Sequence, residues 1–177
     1  YGYENIITVT VDVGQPQADL DQARSKAEAM KKIGVTKHFT VDAKEEFTRD
    51  FCFQSLKANG EYQGYPMSTS IARPIIAAKA VEIAKQEGAT AFAHGCTGKG
   101  NDQYRMNNVF AMFAPDLKVI VPVRDFNFTR QEEKDLSAQY GIPYNPGIGD
   151  DRTMWCRSIG SGEVDNLQMR ISQEDYL

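Results

Sequence analysis

Residues 6–13 read IITVTVDV, a β-branched run that ends on Gly14-Gln15-Pro16. Such side chains suit a pleated, buried surface, so the run predicts a strand over Ile6–Val13 with a turn after it. The period then changes. Leu20, Ala23, Ala27 and Met30 recur at spacings of three and four. That pattern predicts a helix over Asp19–Ile33 with Gly34 as its C-terminal cap. Val35–Val41 reads as a short strand. Lys44–Lys57 reads as a helix with Phe47 and Phe51 one turn apart, and Asn59–Gln63 as a polar loop.

The alternation continues. Ile71–Glu87 is the clearest helix, with Ile76, Ala80, Ile83 and Ala84 as its buried face and Gly88 at its end. Ser70 is its expected N-cap, and Pro74 is expected near the first turn, where a missing N–H costs little. Ala89–His94 reads as a strand, Gly95–Asn101 as a loop and Asp102–Phe113 as a helix stopped by Ala114-Pro115. Lys118–Val123 is a further strand. Thr129 and Glu132 form a capping box for a helix that reaches Gln139 before Gly141 breaks it. Asp150–Leu177 is polar and mixed, and reads as an irregular tail or linker. Alternating strands and helices imply right-handed βαβ units. The expected fold is α/β, a Rossmann-like open parallel sheet with helices on both faces.

At 177 residues the chain suits one domain, spanning 1–177. Its net charge of −4 comes with scattered Lys and Arg, which gives no nucleic-acid footprint. No apolar run approaches the ~20 residues of a membrane span. Three widely spaced cysteines, Cys52, Cys96 and Cys156, argue against a disulfide framework or a zinc site. Two histidines, His38 and His94, are too few for a His-rich metal site. This usage points to an intracellular, cytoplasmic chain. Tyr1-Gly2-Tyr3 is neither an initiator nor a signal peptide, so the chain is expected to begin inside a longer polypeptide.

The candidate chemistry sits in HGCTGKGNDQYR, residues 94–105. In parallel sheets, ligands bind beyond the carboxyl ends of strands. Glycines there let backbone amides approach an anion, and the following helix N-terminus adds partial positive charge. Lys99 adds a full charge. Thr97, Asn101 and Asp102 offer short hydrogen bonds to a small polar ligand, and the acidic Asp102 suits an amine. The loop is not a Walker A motif, because Lys99 is followed by Gly100, nor is it G-x-G-x-x-G. The plainer alternative is a connecting loop with a helix cap. Arg105 reads either as a solvated arginine or as a carboxylate clamp. His94 reads as structural, and Cys96 as an unmodified small residue. Tyr104, Phe110 and Phe113 read as core or flank.

A second cluster is Tyr65-Pro66-Met67-Ser68-Thr69-Ser70-Ile71-Ala72-Arg73. Hydroxyls at a helix start can cap the helix or bind a carboxylate. Arg73 on a first turn opposes the helix dipole, and either pairs with an anion or reaches solvent.

At these two clusters the sequence resembles argininosuccinate synthase. HGCTGKGNDQYR is similar to that family's His-Gly-x-Thr-Gly-Lys-Gly-Asn-Asp-Gln-x-Arg, and STSIARPIIAAKAVEIAKQEGA to its Thr-Ser-Leu-Ala-Arg-Pro helix. VDVGQ, residues 11–15, and 124–143 also fit, and the match runs to about Ser158. The resemblance implies a nucleotide-binding domain of the ATP-pyrophosphatase (adenine nucleotide alpha hydrolase-like) type. It implies ligation of citrulline and aspartate in arginine biosynthesis, with ATP converted to AMP and pyrophosphate and Mg²⁺ accompanying the ATP. Carried over by residue, Val11, Ala93, His94, Gly95, Cys96, Thr97, Gly98, Lys99, Gly100 and Asn101 would line ATP. Thr97, Asn101 and Asp102 would hold aspartate. Tyr65, Ser70, Asn101, Arg105 and Ser158 would hold citrulline. No side chain is implied as a covalent catalyst or a metal ligand. The intact protein is expected to be a homo-oligomer.

The chain departs from the family in three respects. The family's Ser-Gly-Gly-Leu-Asp-Thr-Ser pyrophosphate loop is expected just before Tyr1, and its large C-terminal domain after Leu177. Activity is expected to need both. Gly149 and Gly160 replace a serine and an acid on the citrulline side, and Ser68 replaces a usual glycine. These changes keep two alternatives in view. One is a paralogous ligase that uses aspartate with another acceptor. The other is a non-catalytic nucleotide- and amino-acid-binding module.

Overall fold

The computed structural model describes residues 1–98, 100–144, 149–161, 166 and 168. Strand β1, Ile6–Asp12, lies parallel to β2, Val35–Asp42, in register from Ile7 with Lys37 to Asp12 with Asp42. Helix α1, Gln17–Ala29, connects them and tightens into a 3₁₀ turn at Met30–Ile33. Gly34 caps that turn at φ 109°, a left-handed conformation that suits glycine. Helix α2, Lys44–Glu46, runs through a π-helical turn, Phe47–Cys52, into α3, Phe53–Lys57. Helix α4, Ser68–Gln86, leads to β3, Ala91–Ala93. Helix α5, Asp102–Phe113, then leads to β4, Lys118–Ile120, which is parallel to β3. The short α6, Pro122–Asp125, follows, because Pro122 cannot extend the ladder and is well suited to a helix start. The expected strand to Val123 is therefore cut short.

In α7, Arg130–Tyr140, the capping box forms as expected. Thr129 Oγ1 accepts from the Glu132 amide at 3.3 Å, and Glu132 accepts from the Thr129 amide at 2.7 Å. The last described element corrects the sequence reading. Gly149–Arg152 and Arg157–Ser161 form an antiparallel hairpin, β5 and β6, with Asp151 opposite Ser158. Its strands are short and nearly free of β-branched residues, so the local pattern carries no strand signal. Contacts with the body hold it instead. The Met154 amide donates to the Val13 carbonyl at 3.0 Å, and Trp155 Nε1 donates to the Pro66 carbonyl at 2.7 Å. Gly14 permits this approach: its φ is +86°, and a Cβ there would lie 2.5 Å from Met154 Cβ. The rest of the expected tail, 162–177, lies outside the described residues apart from 166 and 168.

The alternation of parallel strands and helices is the α/β pattern expected. Among the described residues the parallel strands are hydrogen-bonded as two pairs, β1–β2 and β3–β4. Helix α4 spans both. Ala72 and Ile75 in its first half pack with Val11, Val13 and Phe47. Ala77, Val81 and Ala84 in its second half pack with Phe92, Phe110 and Ala114. The buried face is thus set by Ala72, Ile75, Ala77, Val81 and Ala84, while Ile76, Ala80 and Ile83 are only partly buried. Phe92 and Phe110 stack with centroids 4.2 Å apart, which locks β3 against α5. Tyr104 and Phe113 are exposed. Among the described residues no helix is long and apolar enough to cross a membrane.

Candidate functional site

Three surfaces converge at the carboxyl end of β3. On α4, Thr69, Arg73 and Ile76 share one stripe, at i, i+4 and i+7. On α5, Asp102, Arg105 and Met106 share one at i, i+3 and i+4. On β6, Ser158 and Gly160 are two apart and so face one side of the strand. With Tyr65, Gly95, Cys96, Thr97, Gly100, Asn101, Arg130 and Asp151 these residues line a cleft of about 720 Å³.

The start of α4 corrects two expectations. The helix begins at Ser68 rather than Ile71, with Met67 at the N-cap position, and no side chain of that residue caps it. Pro74 therefore lies inside the helix and gives no N–H to the Ser70 carbonyl. Ser70 is not the cap. The phenol of Tyr65 takes the Thr69 amide at 3.0 Å, and its oxygen lies 3.1 Å from Thr69 Oγ1. A phenol four residues upstream thus satisfies an amide of the first turn, in place of the capping hydroxyl expected at Ser70.

A charged network crosses the cleft. Arg73 Nε donates to Asp102 Oδ2 at 2.8 Å, and its NH2 donates to Asp151 Oδ1 at 2.9 Å. Arg105 NH1 donates to Asp102 Oδ1 at 2.6 Å and to Thr69 Oγ1 at 2.8 Å. Burial pushes the Arg73 pKa down, and Asp102 and Asp151 more than offset it. The guanidinium therefore keeps its charge. Both readings of Arg73 and Arg105 as solvent-reaching side chains give way to ion pairs.

The loop after β3 is held at its ends. His94 Nδ1 accepts from the Cys96 amide at 3.2 Å, so Nε2 carries the proton and donates to Asn107 Oδ1 at 2.9 Å. Both ring nitrogens of His94 are thus hydrogen-bonded within the protein. Gln103 Nε2 donates to the Gly98 carbonyl at 2.8 Å. Among the described residues, the amides of Gly95, Thr97 and Gly98 and the side chains of Thr97 and Asn101 make no hydrogen bond. They lie where an anion would meet the N-terminus of α5. Burial pushes the Cys96 thiol pKa up and Asp102 adds to this, against Arg73, which disfavours the reactive thiolate.

The structure thus brings together Tyr65, Gly95, Cys96, Thr97, Gly100, Asn101, Asp102, Arg105 and Ser158. Val11 lines an adjoining pocket of about 170 Å³ that shares Thr69, Arg73, Ile76 and Asp151 with the cleft. Ser70, Ala93, His94 and Gly98 lie near the cleft in sequence but do not line it. Lys99 lies outside the described residues. Sequence reading named Thr69 only within its hydroxyl cluster and passed over Asp151 and Arg130 as lining residues. The i, i+4 spacing of Thr69 and Arg73 was the signal that would have found Thr69.

A family model described as the N-terminal HUP domain of arginosuccinate synthase matches residues 1–143. The chain belongs to the argininosuccinate synthase family. The match makes the fold the HUP type, α/β and Rossmann-like. Argininosuccinate synthase of Methanocaldococcus jannaschii is 48% identical over 179 residues, and that of Methanococcoides burtonii 51% over 180. The protein of the same name from Archaeoglobus fulgidus is 45% identical over 184 residues. Each comparison covers 99% of this chain but 44% of the relative. The chain therefore spans under half the length of these argininosuccinate synthases.

Proposed function

We propose that this cleft is the ligand site of an argininosuccinate synthase, a ligase joining citrulline to aspartate at the expense of ATP. The observation that carries the reading is Asp102. Its carboxylate opens α5 beside unbonded loop amides and is held between two arginines. It is a fixed acceptor for an ammonium group, next to a cradle for an anion.

In this reading the unbonded amides of Gly95, Thr97 and Gly98 and the positive end of α5 meet the ATP phosphates. Val11 and Ile76 give an apolar wall to the nucleotide in the adjoining pocket. Asp102 takes the aspartate ammonium, and Thr97 and Asn101 take its carboxylates. Arg105 spends NH1 on Asp102 and Thr69, which leaves its other donors for a citrulline carboxylate, with Tyr65, Asn101 and Ser158 on the same cleft wall. The citrulline ureido oxygen attacks the α-phosphorus and pyrophosphate leaves. The aspartate amine, having lost a proton, then displaces AMP. The side chains position and stabilise charge, since nucleophiles and leaving groups belong to the ligands. Mg²⁺ fits as a passenger of the phosphates, because both acidic side chains lining the cleft are already held by arginine. The reading carries with it a cytoplasmic location and a homo-oligomer.

The test is pyrophosphate release by the intact gene product supplied with ATP, citrulline and aspartate. Sustained release that needs all three supports the reading. No release with any ureido or amide acceptor refutes it. One observation favours a second reading. Gly160 lines the cleft with open space where a side chain would stand. A larger or differently charged acceptor would fit there. Screening acceptors with aspartate fixed decides between the two, and turnover with citrulline alone removes the second.

A further inference from the structure

Arg73 joins three elements. From α4 it reaches Asp102 at the start of α5 and Asp151 on β5, at 2.8 and 2.9 Å. The Arg73 and Asp102 side chains are each 28% exposed, so water screens the pair only in part. Arg105 holds the other oxygen of Asp102. Each carboxylate oxygen of Asp102 therefore has its own guanidinium, which fixes the plane of the group. A carboxylate offers about four lone-pair positions, so positions remain for a ligand.

The second arm matters as much. Asp151 lies opposite Ser158 in the hairpin register, and both line the cleft. The pull of Arg73 on Asp151 therefore draws the wall carrying Ser158 toward the carboxylate of Asp102. A lysine could not do both, because its ammonium is one point charge on a flexible stem, whereas the guanidinium offers donors in fixed, separate directions.

We propose that Arg73 is a positioning residue: it sets the Asp102 carboxylate for an amine ligand and couples that setting to docking of the β5–β6 hairpin through Asp151. The amine-ligand half rests on the reading of Asp102 given above. The hairpin half does not.

The intact gene product is compared with R73K, R73M and D151N. The expected result is an aspartate KM raised about tenfold in both Arg73 variants, with the ATP KM changed less than about threefold. D151N raises the aspartate KM a fewfold alone and adds nothing on top of R73M, because the two act through one link. Hydrogen exchange gives a readout free of turnover. Amides of 149–161 exchange about tenfold faster in R73M and in D151N, while those of β1 and β2 keep their wild-type rates. R73K keeps the charge and so guards against simple misfolding. An aspartate KM within twofold of wild type in both Arg73 variants overturns the proposal, as do independent, additive effects of R73M and D151N. If the wild type takes no aspartate, the reading of Asp102 and the amine-ligand half fail together. Unchanged hairpin exchange in R73M and D151N then removes the coupling as well.

Discussion

At the end of β1, Asp12 Oδ1 takes the Gly14 amide at 2.9 Å and Gln15 Oε1 takes the Val13 amide at 2.8 Å. Gln15 Nε2 also returns to the Val11 carbonyl at 2.9 Å. At the end of β3 the corresponding loop leaves the amides of Gly95, Thr97 and Gly98 without such partners among the described residues. Both loops follow parallel strands, yet the first binds its amides internally, while the second binds those of Cys96 and Gly100 and leaves three without a partner among the described residues. The difference lies in side chains. Asp12 and Gln15 are short enough, and close enough in sequence, to bind their own backbone. Between His94 and Asn101 the glycines at 95, 98 and 100 have no side chain to do so. The first loop is built to hold shape and to seat Met154. The second leaves amides free for the ligand proposed above.

The largest effect expected is at the open loop. D102N keeps the shape but loses the charge, and should lower kcat/KM for aspartate about 100-fold, with a smaller change for ATP. Steady-state kinetics with each substrate varied checks this. A comparable loss for both would mean that the loop itself had collapsed. Next comes G14A, which tests the closed loop. Its Cβ would meet Met154 at 2.5 Å in a left-handed backbone conformation, so a loss of about 2 kcal/mol is expected in urea unfolding. A paired substitution then sharpens the contrast. Q15A should cost about 1–2 kcal/mol of stability through its lost hydrogen bonds. T97A should cost within about 0.5 kcal/mol while weakening ligand binding, since its hydroxyl has no partner to lose. Equal stability losses would erase the distinction between the loops.

The smallest effect is a pH dependence in the β1–β2 pair. His38 Nδ1 lies 2.8 Å from Thr8 Oγ1, and burial, with Arg24 adding, pushes its pKa down. The folded state therefore favours the neutral ring. As pH falls through the ordinary histidine value of about 6.5, the unfolded chain takes up the proton first, and stability is lost toward the folded value. Melting temperatures on either side of that window should fall in the wild type and fall less in H38Q.

Much of the fold was legible because local pattern and tertiary packing agree. The bounds of α5 and the Thr129–Glu132 capping box follow directly from the sequence. The start of α4 did not, because the group that satisfies the Thr69 amide is the phenol of Tyr65 rather than a hydroxyl at the helix start. The hairpin did not either: GDDR has no strand signal, and the hairpin is held by Met154, Trp155 and Arg73. At the site, the glycine loop and the Asp102–Arg105 pair could be read as neighbours in sequence. The partners of Arg73 could not, since Asp102 and Asp151 lie 29 and 78 residues away.

The most direct measurement is backbone amide chemical-shift mapping of the intact protein on titration with a non-hydrolysable ATP analogue. The amides of Gly95, Thr97 and Gly98 should shift most, with those of Val13 and Gly14 keeping their internal hydrogen bonds. Silent amides at 95–98, with the perturbation centred elsewhere, would contradict the account.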